Sequence, residues 1–129
     1  MTKSILSPQD VVKQYIETGL VLRETTLNGD YKTGNREWGK IVKLFKILEK
    51  DKELASISLQ ELFHNENVIT KAKAAAHCLS LAICVKEAIK VLENIAGDKK
   101  NGIFGFNAEM TLKVYREQGY LKVYPTQKL

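Results

Sequence analysis

Between Leu59 and Leu81 the chain reads LQELFHNENVITKAKAAAHCLSL: an apolar-periodic stretch, a turn rich in asparagine, and a second stretch whose small side chains fall at helical spacing. Alanines let helix axes approach closely, so this stretch demands neighbours packed against it. Leu59, Leu62 and Phe63 face inward on a short helix over about 54–63, with Ser56 or Ser58 at its start. Asn67 is placed to cap the next helix, which runs to about Leu81. Ala72, Ala75, Ala76 and Leu79 form its inner face, while Lys71 and Lys73 point elsewhere.

The flanking segments extend the helical pattern. Ser7, Pro8 and Asp10 have the order of a capping box with proline at the first helical position. The helix they open carries Val11, Val12, Tyr15, Ile16, Leu20, Leu22 and Leu27 on its apolar stripe, and Asn28-Gly29 stops it. Gly19 inside that stripe marks either a close crossing or a break. Asp30 is preferred to Asn35 as the cap of a second helix, lined by Trp38, Ile41, Val42, Phe45 and Leu48 and widened by Leu44 and Ile47. Further helices are expected from about Val85 to Ala96 and from about Asn107 to Gln118. The first buries Val85, Ala88, Ile89, Leu92 and Ile95; the second turns Ala108, Leu112 and Tyr115 inward, with Met110 and Val114 beside them. Between them DKKNGIFGF reads as a loop whose Phe104 and Phe106 tuck under the end of the stack, and Gly119 suits a left-handed helix end.

The chain has 129 residues, 44% of them hydrophobic and 27% charged. That is enough for one domain to bury roughly two-thirds of its unfolded surface without a disulfide or metal. The opening MTKSILSPQD has no apolar run of signal-peptide length, and no stretch reaches the ~18 apolar residues of a membrane span, so a cytoplasmic protein is expected. Cys78 and Cys84 fit reduced thiols in an apolar setting. The net charge of +5 is carried mostly by lysine, a weaker signal for nucleic acid than arginine.

The turn and alanine helix resemble a HEAT-type repeat. Asn65 and Asn67 supply the turn, Thr70-Lys71 takes the place of a Val-Arg pair, Ala74-Ala75 that of paired alanines, and Leu79 that of the leucine beyond them. The loss of the valine implies a looser inner face at Thr70. The whole chain also resembles a small family of bacterial proteins that form one compact α-α superhelix, through Asn35-Arg36, the alanine helix and the segment from Ala108 to Gly119. The expected fold is therefore all-α: a short right-handed HEAT-like superhelix of about six helices over 7–124, with flexible ends at 1–6 and 125–129. The family supplies no catalytic residues to carry over, and relatives of the architecture include immunity proteins that neutralise bacterial toxins.

No chemistry-bearing pattern stands out. His77 and Cys78 are adjacent and point about 100° apart on a helix, so they do not face one ion. A pairing of Cys78 with His64 has no spacing in its favour, and the short GxxG at 102–105 lacks the Lys-Ser/Thr of a phosphate loop. No cofactor, metal or catalytic residue is assigned. The expectation is a non-enzymatic module whose exterior contacts another protein, with an immunity- or antitoxin-like role as one form of it. Asp10, Glu17 and Glu24 form an acidic strip on the first helix that reads as a solvated face. Arg36, Lys40, Lys43, Lys46 and Lys50 form a basic ridge on the second. The expected contacts are Arg36, Lys40, Lys43, Lys71 and Lys73, anchored by Trp38 and Tyr120, with Tyr31 and Tyr124 as further exposed aromatics. The alternative is backbone contact to nucleic acid by the same cations.

Overall fold

In a computed structural model that describes residues 6–129, the chain folds into α1 (Pro8–Asn28), α2 (Tyr31–Glu49), α3 (Lys52–Leu62), α4 (Val68–Leu81), α5 (Val85–Gly97) and α6 (Ile103–Gln118). A single 3-10 turn, Lys99–Asn101, precedes α6, and no strand occurs among the described residues. The fold is all-α, as expected.

Local chemistry sets most of the helix starts. Ser7 accepts from the Asp10 backbone N–H at 3.2 Å while Asp10 accepts from that of Ser7 at 2.9 Å, with Pro8 in the first turn. Asp30 caps α2 by accepting from Thr33, and Asn67 caps α4 by accepting from Ile69. In α3 the cap is Asp51, which accepts from Leu54, so that helix begins earlier than its serines suggested. The larger correction is α6. Gly102, at φ 53°, turns the chain so that IFGF forms the first turn of the helix and not a loop. Phe104 is half-buried, but Phe106 is 60% exposed instead of tucked beneath the stack.

Consecutive helices pack against one another, and α4 lies at the centre, touching α1, α3, α5 and α6. Ile41, Phe45, Leu48, Leu59, Leu62 and Leu92 are almost wholly buried in one core, each such side chain contributing about 1.5–3 kcal/mol. The α1–α4 contact resolves the two readings of Gly19. A methyl group added there would collide with the Thr70 hydroxyl, so the helices cross at backbone range. Thr70 itself is fully buried, which overturns the looser face expected at that position. Leu20 and Leu27 also depart from expectation: both point to solvent, while Thr18, Gly19 and Thr25 take the buried side of α1.

The segment after α6, which includes the end expected to be flexible at 125–129, folds back on the helices through Tyr124 and Gln127. Gln127 is buried and donates from Nε2 to Ser80 Oγ at 2.7 Å, and its Oε1 accepts from the Val123 backbone. Ser80 Oγ in turn donates to the Leu121 carbonyl. Tyr124 donates to Glu49 at 2.6 Å, with its ring against Phe45 and beneath the Lys46 ammonium. At the other end expected to be flexible, Leu6 packs against the core, and residues 1–5 lie outside those described.

Candidate functional site

Helices α1, α2, α4 and α6 do not close completely on one another. Between them lies a cleft of about 490 Å³. Its walls are Leu22 and Thr25 of α1, Asn35 and Trp38 of α2, Val68, Ala72, Lys73 and Ala76 of α4, and Phe104, Asn107 and Thr111 of α6. Alanines on α4 create the space, because at Ala72 and Ala76 no neighbouring helix comes close enough to fill it. Tyr31 and Ile103 stand at its edge and are 78% and 53% exposed.

Lys73 is the charged group of this cleft that lacks a polar partner among the described residues. Its ammonium sits 4.5 Å from the centre of the Trp38 ring, a cation–π contact. Neither ion pair among the described residues involves it. Burial lowers its pKa, and no ion pair opposes the effect. Asp30 also lines the cleft, but its carboxylate caps α2, and hydrogen bonding from Thr33 holds its pKa below the usual range.

Behind Trp38 a buried aromatic cluster fixes the floor. His77 packs edge-on against Tyr15 and Phe45, with Trp38 tilted beside it. The Tyr15 hydroxyl and His77 Nδ1 share a 2.6 Å hydrogen bond. Burial, helped by the Lys73 charge, lowers the His77 pKa to about 3, so the ring is neutral at pH 7. Burial raises Tyr15 well above an ordinary phenol. The neighbouring Cys78 is also raised, first by burial and then by Cys84, which keeps it a thiol and a poor nucleophile. His64 lies exposed on the turn after α3, far in sequence from any group arranged to use it.

The residues singled out in the sequence divide between two places. Trp38 and Lys73 come together in the cleft. Arg36, Lys40 and Lys43 are exposed on α2, where Lys40 pairs with Glu37 at 2.7 Å. Lys73 therefore leaves the basic surface it was expected to share with them. Lys71 is half-buried, and Tyr120 is 41% exposed after α6. Tyr31 is exposed as expected, whereas Tyr124 is engaged with Glu49.

The structure also presents a surface that the sequence patterns above do not contain. Ile103, Phe106, Met110 and Val114 follow one another along α6 on the side opposite Ala108 and Leu112, and are between 38% and 60% exposed. Met110 and Val114 thus face outward and not inward. The second apolar stripe is present in the sequence, but a helix beginning at Asn107 leaves Ile103 and Phe106 outside it.

Comparison of the chain with protein-family models, with curated proteins and with solved structures finds no match.

Proposed function

We propose that this protein is a non-enzymatic interaction module that binds another protein through the outer face of α6. The observation that supports this reading is the continuous apolar stripe Ile103, Phe106, Met110 and Val114, set in water on the side of the helix away from the core. Contiguous exposed apolar surface of this kind marks association sites, since isolated apolar residues on a surface carry no such order. Phe106 is the natural anchor, because large aromatic side chains contribute disproportionately to interface energy. The charges of Glu109, Lys113 and Glu117 border the stripe and would set the orientation of the partner.

The reading extends to a short HEAT-like right-handed superhelix acting in the bacterial cytoplasm, where an immunity- or antitoxin-like protein works by covering its target. Sequential pairing of the helices and the resemblance of the alanine helix support the superhelix. No helix among the described residues is long and apolar enough to cross a membrane. Nucleic-acid backbone binding is the weaker alternative. Arg36 and Lys43 remain available for it, but Lys73 faces the cleft and Lys40 is paired with a carboxylate.

The test is affinity capture from native cells with wild-type protein and with Phe106→Asp. A stoichiometric protein partner retained by the wild type and lost by the variant, with the helical circular dichroism of both unchanged, is the expected result. Equal capture by both proteins would remove α6 as the binding face, and recovered nucleic acid released by moderate salt would favour the alternative.

A further inference from the structure

We infer that the cleft between α1, α2, α4 and α6 is a binding site for a small apolar carboxylic acid, its carboxylate seated on the Lys73 ammonium and its hydrocarbon body against the apolar walls. This goes beyond the α6 reading and does not depend on it.

The size fits: about 490 Å³ lies within the range of roughly 300–1,000 Å³ in which proteins take small organic ligands. The lining has two parts. Leu22, Val68, Ala72, Ala76 and Phe104 offer hydrocarbon, while Lys73 supplies one cation in the same space. Lys73 is half-buried, and a cation drawn partly out of water with no ion-pair partner carries a desolvation cost that the Trp38 ring face offsets only in part. An incoming carboxylate offsets the remainder by a charge-assisted hydrogen bond made in a partly water-excluded place. The lowered pKa of Lys73 has burial as its only cause, in keeping with a cation that forms no ion pair.

Charge also selects against other occupants. A cationic ligand would meet the Lys73 ammonium, and the Asp30 carboxylate, exposed at the α2 cap, forms no ion pair with it. A neutral hydrocarbon would leave the ammonium where it now is. Asn107 and Thr111 border the site but do not define it, because the Thr111 hydroxyl already donates to the Asn107 carbonyl at 2.9 Å.

Trp38 is the chain's sole tryptophan and lines the cleft, so its fluorescence reports occupancy directly. The experiment titrates the whole protein with 3-phenylpropanoate and, separately, with 3-phenylpropanamide, which has the same shape without the charge. Saturable quenching or shift by the acid, at least tenfold tighter than by the amide, is expected. Lys73→Met should lose that preference, and Lys43→Met, on the exposed side of α2, should keep it. Equal binding of acid and amide to the wild type would overturn the inference without reference to any variant, and so would an absence of saturation up to millimolar acid. Tight binding of a peptide with a free carboxy-terminal phenylalanine, with none of 3-phenylpropanoate, would also overturn it and give the cleft to a protein terminus.

Discussion

The two sides of α4 carry the same residue type to opposite ends. Ala74 and Ala75 are fully buried, and their small size lets neighbouring helices come into contact. Ala72 and Ala76 border an open cleft, where the same small size leaves a gap. Alanine on a helix thus specifies nothing by itself. What decides is whether another helix is held near enough to use the space, and here α1 is drawn in at Gly19 and Thr70 while α6 stands off at Phe104 and Asn107.

That contrast can be broken most sharply by enlarging the alanines one side at a time. Ala75→Leu should cost about 3 kcal/mol or more, since the added volume has nowhere to go. Ala72→Leu should stay within about 1 kcal/mol of wild type, because it grows into the cleft. Urea denaturation of both variants measures the difference, and equal losses would mean that the cleft is closed in solution.

His77 lies where the two sides meet, and its protonation tests how dry that boundary is. In the unfolded chain the imidazole takes up a proton as pH falls through about 6.5, whereas the buried ring does so only near 3. Between those values the unfolded state holds more protons. Stability is therefore intact above pH 6.5 and falls by about 1.4 kcal/mol per pH unit below it, or roughly 2 kcal/mol at pH 5. His77→Phe should flatten this slope between pH 6.5 and 4.5 in thermal or urea unfolding. An unchanged slope would show that water from the cleft reaches the ring.

The smallest effect concerns the packed side alone. Gly19→Ala should cost about 1 kcal/mol, although alanine in an open helix gains a similar amount over glycine. In a Thr70→Ala background the hydroxyl is gone while the Cβ stays 3.2 Å away, so the cost of the same substitution should shrink, and the double-mutant cycle isolates the contact.

Residues whose roles are local were legible from the sequence alone. The caps at Ser7, Asp30 and Asn67 depend on side chains reaching only two or three residues along the chain, and they hold in the structure. The start of α6 was not legible because two glycines three residues apart suggest a loop. In the folded chain Gly102 redirects the backbone, while Gly105 lies inside the helix, where a Cβ would come within 3.1 Å of the Ile95 carbonyl. The cleft was not legible, because its existence rests on the distance between helices far apart in sequence. One trace of it was visible: Lys73 sits among alanines, four residues before the buried His77.

The strap formed by Leu121, Tyr124 and Gln127 reaches back 41, 75 and 47 residues to Ser80, Glu49 and Ser80. Each of these links joins points that only synthesis of all six helices can bring together. A nascent chain emerging from the ribosome can therefore assemble its early hairpins, but α2 and α4 are latched only after the strap has been translated. Long-range closure of this kind slows folding relative to local helix pairing. Until the latch engages, the face of Phe45 that Tyr124 packs against stays uncovered.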